Sequence, residues 1–449
     1  MKLLKLKEKL EKKQIKKRTL KAEFRSVNKK INNNIKIIGI TGSRGKSTTA
    51  IIIHNYLKYL GYKSVLYSSA MVDSPASIFK KNEAYEVAVR DEESLISIIE
   101  EAEAYGAEYM VLEVNESSLA KGFLKDVPFD VRVLTNLNPK HNLEHYDENQ
   151  YVNLKKSFFE NIDDDCKCVF GFQDYSKELL NELLKLNNFP KFVCSSNYIA
   201  TLNGLEKEKV TCLLTGLDSE LSGMKLQFKM NEYTYDVQTS LLMPYNALNI
   251  LTALTTLEVL GVLNVNTFEK SLEKLVIPGR AEVFKVKDRL IVIDTHLPAM
   301  LDCLKVLKEQ RKVNKIKVVV GSTGYGYKYW EERFKTEKFA KQRKEYRKYA
   351  MNLLKGIVDY VYLTESDNGK ENAINICNEL QGYLDKNIDS VIIVDREEAI
   401  KKAILDSQEK DVIFISGRGN RRLLCNSETT FKLVKDGDVV EKVIKELGW

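Results

Sequence analysis

The residues best suited to chemistry lie between Thr41 and Thr48, where the chain reads Thr-Gly-Ser-Arg-Gly-Lys-Ser-Thr. Glycines let backbone N–H groups turn toward an anion, and a helix that starts beside them adds the positive end of its dipole. In such a loop Lys46 would reach the β- and γ-phosphates of a nucleotide, and the Ser47 hydroxyl would coordinate Mg²⁺. The residues that we expect to bind the nucleotide are Thr41, Gly42, Ser43, Arg44, Gly45, Lys46, Ser47 and Thr48.

The sequence on either side of this loop predicts the strand and the helix that a phosphate loop needs. Residues 35–40 are rich in isoleucine and indicate a buried strand, and residues 50–57 continue as a helix. The strict pattern has a glycine at position 40, where this chain has Ile40, while Gly39 comes one residue early. A glycine-rich turn that binds nothing would not explain Gly-Lys-Ser together, so we predict a nucleoside triphosphate site.

The composition is that of a soluble globular protein. Its 449 residues, of which 44% are hydrophobic and 30% charged, predict two or three domains. We expect no membrane-spanning helix, because no apolar run approaches the roughly 18 residues that one requires. The seven cysteines contain no Cys-x-x-Cys pair, which argues against a disulfide framework or a zinc site. We therefore expect reduced thiols and a cytoplasmic protein.

The positive charge is concentrated at the start of the chain. Residues 1–36 hold twelve lysines and two arginines against three glutamates, a charge of +11 in a chain of +7, so the remainder carries −4. The bulk of the protein therefore has no basic face for nucleic acid. We predict that residues 1–34 form a separate basic helical segment. It could touch an anionic membrane surface through residues 1–30, dock a partner or pack on its own domain.

The remaining chain alternates short apolar strands with helices, which predicts parallel sheets. Residues 224–237 alternate instead like a β-hairpin, with a turn near residues 231–232. A Pro-Gly pair at residues 278–279 interrupts the pattern, and alternation then resumes. The fold class that we predict is α/β, with a parallel-sheet ATPase domain carrying the phosphate loop over residues 35–277 and a smaller Rossmann-like α/β domain over residues 278–449.

Polar groups at the ends of two predicted strands suit a metal ion. Glu113 ends a buried strand, where a carboxylate is costly unless it is paired or binds metal. His141 and His145 follow the next strand, in a chain with only four histidines. Each could equally be an ordinary surface or core residue. Zinc is disfavoured because no cysteine or third histidine lies nearby, so we expect Mg²⁺ held by Ser47, Glu113 and His141.

The chain after residue 35 resembles the Mur ligase family of ATP-dependent amide ligases, and most closely its branch that adds the third amino acid of the peptidoglycan stem peptide. The family's own phosphate loop also starts one residue early. The stretches that carry the resemblance are, in order, residues 39–49, Glu113-Val-Asn-Glu-Ser-Ser118, Thr135-Asn-Leu137, Tyr245-Asn-Ala-Leu-Asn249, Pro278-Gly-Arg280 and Asp294 with the residues after it.

The resemblance implies roles for single residues. His141 falls on the family's metal-binding histidine and Lys155 on its carbamylated lysine; without that modification Lys155 is a solvated helix lysine. The implied catalytic residues are Lys46, Lys155, His141 and Asp294. The implied metal ligands are Ser47, Glu113, His141 and Lys155. The residues implied to hold the rest of the nucleotide are Asn246 and Asn249 near adenine, with Arg280 and Asp294 between the domains.

The resemblance also implies the reaction, with ATP and two Mg²⁺ as cofactors. An acceptor carboxylate attacks the γ-phosphate and gives an acyl phosphate and ADP, after which the amine of an amino acid displaces phosphate. The partners expected are therefore an amino acid and a carboxylate acceptor, either a peptide or a cell-wall precursor. Nucleic acid is not expected.

The sequence departs from the family pattern in several places. The phosphate loop opens after about 38 residues, so we expect the family's UDP-sugar domain to be absent, which weighs against a UDP-MurNAc-peptide acceptor. The amino-acid-recognition stretch Asp-Asn-Pro-Arg is here Asp367-Asn-Gly-Lys370, which lacks the arginine fork. Lys140 replaces an aspartate beside the metal histidine, and residues 325–347 form a charged, aromatic insertion without a counterpart.

These departures leave three readings of the function open. The first reading is an amide ligase, for which a ligase of cell-wall peptides competes with a poly-γ-glutamate-type peptide ligase. The family branches of the latter type lack the sugar domain. A non-catalytic nucleotide-binding protein of the same fold is the second reading, although retention of the whole metal set argues against it. A nucleic-acid ATPase is the third and rests only on residues 1–30.

Overall fold

The computed structural model describes most of the chain after residue 34. The described residues are 35–74, 91–138, 146–160, 162, 165–172, 177–185, 191–195, 210–220, 223–295, 297–309, 312–325, 337–421, 423–427 and 430–449. The predicted basic segment 1–34 lies outside them. Within these ranges, every helix is too short or too polar to cross a bilayer.

The described chain divides into two compact units. The first comprises residues up to 240 together with 245–275, and the second comprises residues 276–449 together with 241–244. Each unit contains its own β-sheet.

The first unit is built on a ten-stranded sheet with the order β10-β9-β8-β7-β6-β5-β1-β4-β2-β3. Its strands are β1 Lys36–Thr41, β2 Ser64–Tyr67, β3 Val72–Asp73, β4 Tyr109–Glu113, β5 Val131–Leu134, β6 Lys167–Phe172, β7 Lys191–Ser195, β8 Val210–Glu220, β9 Gly223–Met230 and β10 Tyr233–Thr239. Its helices are α1 Lys46–Tyr59, α2 Glu92–Tyr105, α3 Glu116–Lys121, α4 Glu148–Lys156, α5 Lys177–Lys185, α6 Asn246–Val259 and α7 Val265–Leu272.

Strand β1 occupies the middle of this sheet because it is apolar on both faces. It pairs in parallel with β4 on one side and β5 on the other. Five of its six residues are buried, as expected for a central parallel strand. The carboxyl ends of β1, β4 and β5 consequently meet at one edge of the sheet, where ligands of such sheets bind.

The predicted hairpin is confirmed and extends the same sheet. Strands β9 and β10 pair antiparallel around Asn231 and Glu232, which both adopt positive φ angles of 48° and 69°. Two successive positive φ angles define the tight hairpin turn that matches the twist of the flanking strands. The first sheet is therefore mixed rather than wholly parallel, with the antiparallel pairs β8–β9 and β9–β10 at one edge and β2–β3 at the other.

The second unit contains a six-stranded sheet with the order β11-β12-β16-β13-β14-β15 and a separate pair β17-β18. Its strands are β11 Arg280–Val286, β12 Arg289–Asp294, β13 Ile316–Val320, β14 Tyr360–Leu363, β15 Asp389–Ile392, β16 Val412–Ser416, β17 Leu423–Cys425 and β18 Phe431–Leu433. Its helices are α8 Leu297–Glu309, α9 Glu337–Asn352, α10 Ala373–Tyr383, α11 Arg396–Leu405 and α12 Asp436–Glu446. All strand pairs of this six-stranded sheet are parallel except β11 with β12, so the predicted second α/β domain is confirmed.

Candidate functional site

The phosphate loop links β1 to α1 and requires glycine at two positions. Gly42 and Gly45 have φ angles of +146° and +79°, which residues with a side chain rarely adopt. A Cβ atom on Gly42 would stand 2.0 Å from Oγ1 of Thr135. Helix α1 begins at Lys46, and no side chain caps its first turn. Its N-terminal N–H groups therefore face the loop, as anion binding requires.

The end of β5 fixes the middle of the loop. The side-chain amide of Asn136 donates to the carbonyl of Arg44 at 2.9 Å and accepts from its N–H at 3.1 Å. The backbone of Asn136 accepts from the N–H of Ser43 at 3.0 Å. Thr135 Oγ1 donates to the same Arg44 carbonyl at 2.5 Å. These contacts hold the loop in shape through neutral groups, without adding charge where a phosphate would bind.

The start of α6 packs against the other side of the loop. Asn249 Oδ1 lies so close to Gly45 that a Cβ there would be 1.9 Å from it. Asn249 Nδ2 in turn donates to Asn246 Oδ1 at 2.9 Å. The structure thus brings both predicted asparagines to the phosphate loop, and their proximity to adenine stays a prediction.

The Lys46 side chain folds back over its own loop. Its Nζ donates to the carbonyls of Gly42 at 3.1 Å and Ser43 at 3.4 Å, and lies 4.0 Å from Glu116. These carbonyl contacts are weak substitutes for a phosphate, so the ammonium group is available to a nucleotide at little cost in stability.

Ser47 and Glu113 form a pair of oxygen donors beside the loop. Ser47 Oγ donates to Glu113 Oε2 at 2.8 Å, and the N–H of Ser69 donates to the same oxygen at 2.8 Å. Glu113 ends β4 and is 8% exposed. A hydroxyl and a carboxylate are the hard oxygen ligands that Mg²⁺ prefers, so these two residues fit the predicted metal. In the described ranges, no three His, Cys, Asp or Glu side chains are grouped as a metal centre.

Lys155 is buried in this site and not solvated, so the interpretation of a solvated helix lysine is wrong. Its Nζ lies 2.7 Å from Oε1 of Glu116 and donates to Thr41 Oγ1 at 2.9 Å. The hydroxyl of Tyr151 donates to Ser43 Oγ at 2.9 Å and lies 3.3 Å from the same Glu116 oxygen.

Glu116 and Lys155 perturb each other through charge and burial. Burial favours the neutral form of Glu116, but the charges of Lys155 and Lys46 outweigh it and hold the pKa of Glu116 well below its usual range. Burial lowers the pKa of Lys155 to about 8, while Glu116 opposes this shift and Lys46 adds to it. Both groups are therefore mainly charged at neutral pH.

The remaining predicted residues of this site are His141 and Thr48. His141 lies outside the described residues, as do His145 and Lys140. Thr48 is buried in the first turn of α1. Metal binding by His141 therefore stays a prediction.

Asp294 and Arg280 lie together in the second unit. They are partners across β11 and β12, and Asp294 Oδ2 accepts from the N–H of Ala281 at 2.8 Å. Ala281 has a φ of +51° beside an irregularity in the pairing, so the Asp294 carboxylate holds a strained bend. Arg280 Nη1 donates to the carbonyl of Gly279 at 3.1 Å.

The loop after β14 carries the stretch that departs from the family pattern. Asp367 Oδ1 accepts from Arg418 Nη1 at 2.7 Å and from the N–H of Cys425 at 3.0 Å, and Oδ2 accepts from Arg421 at 3.1 Å. Burial alone would raise the pKa of Asp367, but the two arginines lower it below its usual value. Asp367 is thus a buried structural anion, and the exposed side chain of the loop is Lys370.

Sequence reasoning missed three residues of the site around the phosphate loop, namely Glu116, Tyr151 and Ser69. Glu116 stood inside a quoted motif but nothing local distinguished it, because its partner Lys155 comes 39 positions later. Tyr151 lies one helical turn before Lys155 on α4, a spacing that could have identified it. Ser69 follows β2, and only the strand order brings it to Glu113.

Comparison with known proteins gives matches along both units. Residues 40–257 match the family model of the Mur ligase middle domain, and residues 279–419 match that of the Mur ligase glutamate ligase domain. The chain is 23% identical over 417 residues to a UDP-N-acetylmuramoyl-L-alanyl-D-glutamate–2,6-diaminopimelate ligase of Rickettsia conorii, covering 91% of this chain and 80% of that protein.

Two solved structures share the fold. A MurF ligase of Thermotoga maritima in complex with ADP has a TM-score of 0.64 at 20% identity, with 96% of this chain and 84% of that chain covered. A folylpolyglutamate synthase of Thermotoga maritima has a TM-score of 0.59 at 15% identity, with 88% of this chain and 90% of that chain covered.

Proposed function

The chain belongs to the Mur ligase family of ATP-dependent, ADP-forming amide ligases, and we propose that it joins an amino acid to the carboxylate of a peptide or cell-wall precursor. The observation that carries the proposal is the phosphate loop of the first unit. Its glycines, its uncapped helix start and Lys46 form one anion site, with the Ser47–Glu113 oxygen pair beside it.

The residues of this site suit the first half of the reaction. An oxygen of the acceptor carboxylate attacks the γ-phosphorus, the bond to the β,γ-bridging oxygen breaks, and ADP leaves. Lys46 would exchange its loop carbonyls for the phosphate oxygens and stabilise their charge. Ser47 and Glu113 would hold Mg²⁺, with His141 as the further proposed ligand; the ion neutralises phosphate charge when bound.

The second half forms the amide. The amine nitrogen attacks the carbonyl carbon of the acyl phosphate, the C–O bond to phosphate breaks, and the nitrogen loses a proton. The loop 366–371 follows β14 at the carboxyl edge of the second sheet, where ligands of parallel sheets gather. We assign the incoming amino acid to this loop and Asn246, Asn249, Arg280 and Asp294 to the nucleotide.

Carbamylation of Lys155 is a separate part of the proposal. Carbon dioxide reacts with a neutral amine, and a pKa of about 8 leaves Lys155 a larger neutral fraction than an ordinary lysine. The carbamate would place a negative charge on Lys155, whose Nζ lies 2.7 Å from Glu116 Oε1, so the carbamate and the ion pair are alternatives. ¹³C NMR with ¹³C-bicarbonate should show a carbamate with Mg-ATP present, and Glu116→Gln should increase it. Its absence from both proteins would refute the modification.

The identity of the incoming amino acid bears on the choice between the two kinds of ligase. Lys370 keeps a positive charge but not a planar fork, which favours a simple carboxylate over the bidentate contact of a diaminopimelate site. A poly-γ-glutamate-type peptide ligase is therefore the second candidate. We place the enzyme in the cytoplasm, with residues 1–30 available for the inner membrane surface.

The deciding experiment measures phosphate release from Mg-ATP. The twenty amino acids, diaminopimelate and ornithine would each be tested with UDP-MurNAc peptides, glutamate oligomers and lipid-linked wall precursors. Release that depends on one amino acid and one acceptor would name both substrates, and a ladder of products by mass spectrometry would indicate the polymer ligase.

Two variants control that experiment. Lys46→Ala should reduce turnover by at least about 100-fold, as expected for loss of a charged donor to the transferring phosphate. Lys270→Ala, an exposed lysine on α7, should leave turnover unchanged. If the protein binds ADP but releases no phosphate from Mg-ATP with any pair of amino acid and acceptor, the ligase is refuted in favour of a non-catalytic nucleotide-binding protein.

A further inference from the structure

The charged insertion at residues 325–347 ends in an arginine that is completely buried. Arg347 lies on α9 and has 0% exposure, which is rare for an arginine unless its charge is paired. We propose that Arg347 is a positioning residue for the amino-acid loop 366–371, so that this end of α9 supports the substrate site. This inference rests on the proposed function only for what the loop binds.

All five N–H groups of the Arg347 guanidinium have a partner. Nη1 and Nη2 donate to the two oxygens of Glu371 at 2.8 and 2.9 Å, the planar fork that lysine cannot form. Nη1 also donates to Glu379 of α10 at 2.9 Å. The remaining two bonds run to Ser322 Oγ at 3.2 Å and the carbonyl of Thr323 at 3.1 Å.

Three of these partners lie on two neighbouring loops at the carboxyl edge of the second sheet. Ser322 and Thr323 follow β13, whereas Glu371 ends the loop after β14 and directly follows Lys370. One side chain therefore ties two loops together at the edge where a substrate would bind.

The backbones of the two loops are also joined. The N–H of Gly324 donates to the carbonyl of Asp367 at 2.8 Å, and the N–H of Lys370 donates to the carbonyl of Tyr325 at 2.7 Å. A Cβ on Gly324 would stand 1.9 Å from the carbonyl oxygen of Asn368, so the approach admits no side chain there. The two loops are therefore held together by their backbones as well as by Arg347.

Buried arginines hold the amino-acid loop at both of its ends. Arg418, with Arg421 beside it, binds Asp367 at the start, and Arg347 binds Glu371 at the end. Lys370 lies exposed between these two anchors. Loosening one anchor should displace Lys370 without touching the phosphate loop of the first unit, so the affinity for the amino acid should change and that for ATP should not.

The test compares Arg347→Lys and Arg347→Met with Lys348→Met, an exposed lysine on the same helix. In the full chain, amide hydrogen exchange of residues 322–325 and 366–371 should accelerate in both Arg347 variants and remain unchanged in Lys348→Met. With the substrates that the phosphate-release assay identifies, KM for the amino acid should rise at least about tenfold in the Arg347→Met variant. KM for ATP should stay within about twofold, and Arg347→Lys should show the smaller defect because it keeps the charge.

The two readouts separate the possible failures. Unchanged exchange in the two loops of Arg347→Lys and Arg347→Met would overturn the positioning role, as would KM values for ATP and amino acid that rise together. If the wild-type protein shows no turnover that depends on an amino acid, the proposed function falls. Accelerated exchange confined to these two loops would still establish that Arg347 positions them.

Discussion

The Nζ of Lys155 lies 2.7 Å from Oε1 of Glu116, and this ion pair closes the inner wall of the phosphate site. Lys155 is fully buried, and its second hydrogen bond goes to Thr41, the last residue of the central strand. Lys46 approaches the same glutamate to 4.0 Å. One carboxylate thus balances two cations, which explains why two lysines can be held so close together.

Replacing Glu116 with glutamine should destabilise the nucleotide-free protein. The substitution leaves the Lys155 cation buried without its counter-charge, which typically costs about 3–5 kcal/mol. Urea unfolding followed by circular dichroism measures the change. Glu148→Gln, on the exposed first turn of α4, is the control and should cost less than about 1 kcal/mol. Equal unfolding free energies for the wild type and Glu116→Gln would contradict the ion pair.

Placing alanine at Gly45 should damage the phosphate loop by two separable effects. The φ of +79° costs a residue with a side chain about 1–2 kcal/mol, and the new Cβ would also overlap Asn249 Oδ1. Gly61→Ala meets only the first cost, since its φ is +90° and its Cβ would have open space. Gly45→Ala should therefore unfold at a lower temperature and bind ADP more weakly than Gly61→Ala.

A double variant separates the contact from the backbone strain. Asn249→Ala should restore part of the stability lost in Gly45→Ala by removing the overlapping oxygen, but not the part caused by φ. A double-mutant cycle on the unfolding free energies measures this coupling. Additive effects of the two substitutions would show that Asn249 does not press on Gly45.

Replacing Ser47 with alanine should weaken the response to magnesium. The substitution removes one of two adjacent oxygen donors but keeps the loop backbone. The Mg²⁺ concentration for half-maximal turnover should rise at least about tenfold, and EDTA should abolish turnover in the wild type. Ser97→Ala, whose hydroxyl bonds only a carbonyl of its own helix, is the control. An unchanged magnesium requirement would exclude Ser47 as a ligand.

Acid should destabilise the second unit partly through Asp367. Its folded pKa is lowered by Arg418 and Arg421, so its contribution is complete above the usual aspartate value near 4 and disappears as pH falls through the folded pKa. Asp367→Asn should therefore cost about 3–5 kcal/mol at pH 7 and progressively less in acid.

Tryptophan fluorescence suits this measurement because residues 1–275 contain no tryptophan, whereas Trp449 ends the second unit. Urea unfolding between pH 7 and strongly acidic pH gives the free energies. Asp389→Asn is the matched control, since Asp389 is an exposed aspartate at the start of β15 in the same unit and should matter little. A difference between wild type and Asp367→Asn that stays constant with pH would refute the assignment.

Much of the architecture could be predicted from the sequence because local patterns encode it. Apolar patterns identified the strand before the phosphate loop, the helix after it and the strand that ends at Glu113. The turn at Asn231 and Glu232 followed from alternation on both sides of it. The phosphate loop could be predicted because its requirements lie within eight consecutive residues.

The unpredicted features depend on partners that are distant in the sequence. Glu116 and Lys155, like Arg347 and Glu371, are ordinary charged residues in their local contexts, and patterning favours solvent for all four. Only the strand order and the helix packing reveal that they are paired, with Lys155 and Arg347 buried and the two glutamates partly buried. The mixed character of the first sheet was missed for the same reason, since nothing local indicates that the hairpin joins it.

The contact between Gly45 and Asn249 has a consequence for the synthesis of the chain. The complete phosphate-loop sequence leaves the ribosome long before α6, which supplies one wall of the loop. A nascent chain that ends before residue 246 therefore contains every residue of the motif but lacks the surface that shapes it. Nucleotide binding is then a property that the growing polypeptide acquires late, when α6 docks onto a loop made near the start.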